Sequence, residues 1–161
     1  MNITLPLKEE AFKLAARRMQ RAEVAGAANT LWFDDFGCVT VDNTDGAGLV
    51  RDLVVNQRTE IAGRRVLLVG AGGAARGVLP ALVAAGPHCI FIMNRTITKA
   101  ERLAAKFDGV VETNVLAWGA SVRRPFDIIV NATSLSLHRM LPPIERGAVH
   151  PASICYDLML S

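Results

Sequence analysis

Apolar and polar positions follow two different rhythms along this chain of 161 residues. From residue 64 onward, short continuous apolar runs are separated by amphipathic stretches. The runs cover residues 65–69, 89–93, 126–131 and 154–159. Unbroken runs rich in β-branched residues predict strands buried on both faces, hence a parallel sheet covered by helices. Residues 74–85 and 97–107 have helical spacing. Gly86-Pro87 stops the first helix, and Thr96 stands where it can cap the second. A short strand near 110–111 and a brief helical segment at 115–118 fill the remaining interval. The fold class is α/β, a doubly wound parallel sheet.

Before residue 64 the rhythm is less regular. Residues 8–20 read as a helix, with Ala11, Leu14, Ala15 and Met19 on one face. Residues 28–33 and 38–41 read as strands around the turn Asp34-Asp35-Phe36-Gly37. A helix over 45–56 leads into a polar linker, 57–63, that ends in glycine. Three regions follow: 1–45, part of an α/β domain; 46–63, a connecting helix and linker; and 64–161, the parallel-sheet domain.

The turn after the first of these runs carries chemistry. Val66-Leu67-Leu68-Val69 leads into Gly70-Ala71-Gly72-Gly73-Ala74-Ala75-Arg76-Gly77. Gly70 suits a tight turn, Gly72 lets the backbone approach a pyrophosphate, and Ala75 lets the helix pack on the strand. The phosphates would rest on free N–H groups at the helix start. This is the fingerprint of a Rossmann-type dinucleotide site.

In an NAD-type site an acidic residue about 20 positions on bonds the ribose 2′-hydroxyl. Here the second run ends in Asn94-Arg95-Thr96, with Lys99 one helical turn further and no acid at the strand end. A guanidinium offers a planar charged fork that suits a phosphate. The pattern predicts a 2′-phosphate pocket and NADP as cofactor. The plainer alternative is a solvated strand-end cation.

Composition narrows the field. The net charge is +3, and the basic residues are dispersed. The densest group, Arg17, Arg18 and Arg21, shares its expected helix with acidic residues and reads as a solvated face, so no nucleic-acid partner is expected. No apolar run reaches the ~18 residues of a membrane span, and the first residues lack a signal-peptide pattern. Cys38, Cys89 and Cys155 are widely spaced, two of them in strands expected to be buried. They suggest neither disulfides nor a metal site, and a reduced, cytoplasmic protein is expected.

In the first region Lys8, Asn29 and Asp45 stand out. Asn29-Thr30 ends the run Ala25-Gly26-Ala27-Ala28, and Asp45 lies in Asp42-Asn43-Thr44-Asp45-Gly46 at a strand-to-helix junction. Taken alone, that cluster reads as turn and N-cap chemistry, and Lys8 as a surface lysine.

Taken together, Asn2-Ile3-Thr4-Leu5-Pro6-Leu7-Lys8-Glu9-Glu10, Ala25–Thr30, Asp42–Gly46, Gly70–Ala74, Asn94-Arg95-Thr96, Asn131-Ala132-Thr133-Ser134 and Tyr156-Asp157-Leu158 resemble the shikimate dehydrogenase family. The family reduces 3-dehydroshikimate to shikimate with NADPH in a cleft between a substrate domain and an NADP domain. The resemblance implies that Lys8 and Asp45 are the catalytic pair, handling the proton that moves as hydride reduces the ketone. It implies that Thr4 and Asn29 bond the substrate hydroxyls and that Asn2 lines the same pocket. Gly70, Ala71, Gly72, Gly73 and Ala74 would form the pyrophosphate loop. Asn94, Arg95, Thr96 and Lys99 would hold the 2′-phosphate. Thr133 and Ser134 would face the nicotinamide side of the cleft, with Leu158 where a methionine usually contacts that ring.

The departures lie on the substrate side. The family carries a segment ahead of the Asn-x-Thr motif, with a serine pair for the substrate carboxylate, and a helical tail with a glutamine. This sequence holds neither, Leu160 replaces a tyrosine, and Ser136 replaces a glycine. The expectation is therefore NADP binding with weak turnover. A non-catalytic NADP-binding module and a quinate- or NAD-using relative stay open. An incomplete substrate sheet would leave an edge strand and apolar surface that favour a homo-oligomer.

Overall fold

The computed structural model describes residues 1–4 and 6–159, which form two sheets. The first is built from α1 (Lys8–Leu14), β1 (Arg17–Arg18), α2 (Gln20–Ala25), β2 (Thr30–Phe33) and β3 (Val39–Asp42). Its strands lie in the order β1-β3-β2, with β1 parallel and β2 antiparallel to β3. Asp34 makes the β2–β3 turn: its Oδ1 accepts from the N–H groups of Phe36 (3.0 Å) and Cys38 (2.9 Å). Ala11, Ala15, Ala22, Ala28 and Val41 form its small core.

The helix expected over 8–20 is broken in two. The Ala16 N–H bonds Val39 O (3.0 Å) and the Met19 N–H bonds Val41 O (2.9 Å), so the chain joins the open edge of β3 as β1. Sheet pairing overrides helix periodicity here, leaving Leu14 and Met19 exposed. The basic trio does not share one helix: Arg17 and Arg18 lie in β1 and Arg21 in α2, and all three are exposed. Arg17 pairs with Asp34, Arg18 with Glu23, and Arg21 with Asp42.

The second sheet follows α3 (Asp45–Arg51), which continues into the π-helical turn Asp52–Asn56. Its elements are β4 (Arg65–Val69), α4 (Gly73–Ala84), β5 (Cys89–Asn94), α5 (Ile97–Ala104), β6 (Glu112–Ala117), β7 (Ile128–Asn131) and β8 (Ile154–Asp157). All five strands are parallel, in the order β6-β5-β4-β7-β8. Side chains of β4 alternate between two cores. Val66 and Leu68 face the helices, beside Val78, Leu82 and Ile90. Leu67 and Val69 face the other way, beside Met93, Phe126 and Ile129. Each buried aliphatic of this size contributes about 1.5–3 kcal/mol. The second face is closed by the irregular chain that follows β6 and β7, including the 3-10 turn at Arg146–Ala148.

Three expectations need correction. The strand at 110–111 and the helical segment at 115–118 are replaced by one strand, β6, which pairs with β5 along its whole length. The runs at 126–131 and 154–159 yield shorter strands, although Phe126 is fully buried. Cys89 is buried, but Cys155 is exposed, because β8 is the outermost strand and alternate residues face out.

α3 crosses α4 at a pair of glycines. A Cβ on Gly46 would lie 2.7 Å from Gly77 O and 2.8 Å from Ala81 Cβ. A Cβ on Gly77 would lie 3.0 Å from the amide atoms of Asn43 and 3.1 Å from Asp45 Oδ2. The helices touch backbone to backbone. Gly46→Ala is expected to destabilise by about 1–3 kcal/mol through overpacking. Gly48→Ala, on the same helix with open space around it, should gain up to about 1 kcal/mol. Urea unfolding separates the two, and coincident midpoints would show that the crossing accepts a methyl group.

Candidate active site

The chain leaves β4 toward β5 and β6, then returns to the other side of β4 as β7. A crevice forms where the direction reverses. At the carboxyl ends of β4 to β7 a cavity of about 250 Å³ opens, lined by Gly70, Ala71, Gly72, Gly73, Ala74, Asn94, Arg95, Thr96, Lys99, Trp118, Ala132, Thr133, Ser134 and Leu135. Gly70 has φ 112°, and a Cβ there would meet Ala132 O at 3.0 Å, so only glycine fits. Its N–H bonds Met93 O at 2.8 Å. Nothing lies within 4 Å of the Cβ direction of Gly72, which leaves room for a ligand before the start of α4.

The charge of this crevice is one-sided. Among the described residues no carboxylate lines it, and Arg95 and Lys99 are exposed and in no ion pair. Asn94 Nδ2 bonds Thr96 O at 2.8 Å and shapes the turn. Thr96 occupies the N-cap position of α5, but its hydroxyl makes no capping bond. Across the crevice the Thr133 hydroxyl donates to Asn131 Oδ1 (2.7 Å), while Asn131 Nδ2 donates to Asp157 Oδ2 (3.0 Å). Leu158 is not in the lining. Its side chain packs against the helix-side core, and its N–H bonds Asn131 O at 3.0 Å. The side chain is half-buried, directly after the end of β8. Leu160 lies outside the described residues.

A second cluster abuts the phosphate loop. Lys8, in the first turn of α1, places Nζ 2.5 Å from Asp45 Oδ2, with both side chains largely buried (11% and 21% exposed). Asn29 Nδ2 donates to Asp45 Oδ1 at 2.7 Å and to Thr44 Oγ1 at 3.0 Å. Asn43 Oδ1 accepts from the Asp45 N–H (3.1 Å), and Asn43 Nδ2 donates to Ala27 O (3.0 Å). The polar run 42–45 is thus partly turn chemistry and partly a long-range link. Lys8 Cβ lies 3.7 Å from the Cβ direction of Gly73, so the cluster sits against α4. Asn2 and Thr4 are exposed. Asn2 bridges to Thr30, and Thr4 O accepts from the Leu7 N–H (2.9 Å). This brings them beside Asn29 by backbone pairing alone.

The profile of the shikimate / quinate 5-dehydrogenase family matches residues 52–151, more than half of the chain. The chain belongs to this family. It is 47% identical over 161 residues to a shikimate dehydrogenase (NADP(+)) of Chromobacterium violaceum, covering all of this chain and 59% of that protein. An Ael1 enzyme from Pseudomonas putida superposes with a TM-score of 0.90 at 43% identity, over all of this chain and 59% of that one. Shikimate 5-dehydrogenase from Thermus thermophilus, solved with NADP(H) and shikimate, gives 0.80 at 30% identity over 98% of this chain and 57% of that one. The chain spans about three fifths of the length of the curated relatives it matches.

Sequence reasoning missed several groups of this shikimate / quinate dehydrogenase family member. Trp118 and Leu135 line the crevice with no motif to announce them. Glu9 pairs with Arg76, tying α1 to the first turn of α4. Arg21 pairs bidentately with Asp42, behind Asn43. Opposite charges twenty-one positions apart give no sequence signal until β3 brings them together.

The Arg21 guanidinium, hydrogen-bonded to Asp42, holds that carboxyl below the usual carboxylate range. A depressed folded value means that the stabilisation is complete above the ordinary carboxylate pKa of about 4 and is lost as pH falls through the lower folded value. Asp42→Asn should therefore unfold more easily near neutrality, by about 1–3 kcal/mol for a lost charged hydrogen bond. The difference from the parent should shrink below about pH 4. Chemical denaturation across that range checks this, and a constant gap would show that the ionised form is not the stabilising one.

Proposed function

We propose that this chain carries the NADP site and the catalytic pair of an enzyme that reduces 3-dehydroshikimate to shikimate. One observation carries the reading: a largely buried Lys8–Asp45 pair packs against the helix that follows the glycine loop, beside a crevice that, among the described residues, holds two unpaired cations and no carboxylate. The fit to NADP is specific. Open space at Gly72 admits the pyrophosphate, and Arg95, with Lys99, Asn94 and Thr96, receives the 2′-phosphate.

When bound, NADPH supplies hydride to the carbonyl carbon. The residues of this chain do the rest. Lys8 Nζ gives a proton to the carbonyl oxygen as that oxygen becomes a hydroxyl. Asp45 accepts from the lysine and aims it, and Asn29 holds Asp45 by its second oxygen. Asn2, Thr4 and Asn29 bond the substrate hydroxyls, and Thr133 and Ser134 border the nicotinamide side. The reading assigns 1–45 to the substrate side, 46–63 to the connector and 64–161 to the cofactor side. It includes a cytoplasmic setting, in keeping with the free thiols of Cys38, Cys89 and Cys155, and self-association through the exposed Trp32, Phe33 and Phe36. No helix among the described residues is long and apolar enough to cross a membrane.

Arg95→Ala is expected to weaken NADP+ binding about tenfold to over a hundredfold, the value of a charge-assisted phosphate contact, and to leave NAD+ nearly unchanged. Calorimetric titration with both nucleotides tests this, and equal losses would remove Arg95 from the 2′-phosphate. In a version of the chain restored to full length from a close relative, Lys8→Ala and Asp45→Ala should each lower kcat for reduction of 3-dehydroshikimate about a hundredfold or more. The double variant should be little worse, because groups acting as one unit are non-additive. Multiplicative losses in steady-state assays would mean independent roles.

A further inference from the structure

We propose that Trp118 is the platform on which the adenine ring of the dinucleotide stacks. The inference rests on the dinucleotide reading above and extends it to a residue that no motif marks.

Three neighbouring strand ends lie in a row. β4 delivers the glycine loop, β5 delivers Arg95, and β6 ends at Ala117, directly before Trp118. Adjacent strands are about 4.8 Å apart, so the row spans about 10 Å. If the glycine loop takes the pyrophosphate and Arg95 the 2′-phosphate, the ribose on the β5 side belongs to the adenosine. The base beyond it is then adenine, and it arrives at β6.

Trp118 is built for that place. Its side chain is half-buried and packs against the core containing Met93 and Phe126, while another part forms crevice wall. The turn that carries it is fixed: the Ala120 N–H bonds Ala117 O at 3.0 Å, and Gly119 has φ 76°. An indole held on one side by the core loses little rotamer freedom when a ring covers its other side. Among the described residues that line the crevice, Trp118 is the one aromatic. Every base has a π-face, so such a platform adds affinity without distinguishing NADP from NAD.

The chain has two tryptophans, and the other, Trp32, lies on β2 of the other sheet. In Trp32→Phe protein, emission therefore reports Trp118 alone. NADP+ and adenosine 2′,5′-bisphosphate should both quench it, and nicotinamide mononucleotide should not. By calorimetry, Trp118→Ala should weaken NADP+ and NAD+ by the same factor, about fivefold to a hundredfold. Trp118→Phe should retain most of the affinity and guards against a merely misfolded alanine variant. Unchanged emission on saturation with NADP+, together with unchanged affinity in Trp118→Ala, would overturn the proposal while leaving the dinucleotide site standing. Quenching by nicotinamide mononucleotide would overturn it by reversing the cofactor's direction. If calorimetry shows that the parent protein binds neither NADP+ nor NAD+, the dinucleotide reading fails, and this inference with it.

Discussion

The contact on which the arrangement depends is the glycine-to-glycine crossing of α3 and α4. With Gly46 against the backbone of Gly77, the helix that begins at Asp45 lies directly on the helix that follows the glycine loop. A larger residue at either position would push Asp45 and Asn43 away from α4. Lys8 follows Asp45 through their ion pair, and α1 follows Lys8. Two sheets with separate cores therefore share one polar junction.

Electrostatics then sorts the cations into two kinds. Arg17, Arg18, Arg21 and Arg76 are matched inside the molecule, each by its own carboxylate. Most such pairs are exposed and contribute little individually; they mainly fix register between elements. Among the described residues, Arg95 and Lys99 have no ion-pair partner, and they stand at the mouth of a crevice that no described carboxylate lines. In that setting an incoming dianion meets no competing acid, and recognition costs no broken ion pair.

Legibility of the sequence followed the range of the interactions. The parallel sheet was readable because β4, β5 and β7 are buried on both faces and had to be continuously apolar. The glycine loop and Arg95 were readable because their requirements are local: a positive φ at Gly70 and a cation at a strand end. β1 and β6 were misread for a shared reason. Both are edge strands whose conformation is set by a neighbour's unpaired backbone groups, so Ala16 and Met19 follow β3 and Glu112–Ala117 follows β5. Lys8 and Asp45 are thirty-seven positions apart and looked unremarkable until family motifs linked them.

The phosphate loop also depends on when the chain completes itself. Gly70 takes its shape against the carbonyl of Ala132, and the Ala132 N–H bonds Val69 O at 2.8 Å. That contact closes a segment of about sixty residues containing two α-helices and three strands, so its closure entropy falls due before any reward. A growing or partly unfolded chain lacking β7 would have the glycines in sequence but not the cradle. On the dinucleotide reading, the nucleotide would favour only the assembled sheet, and by mass action its concentration would be part of what keeps this domain folded.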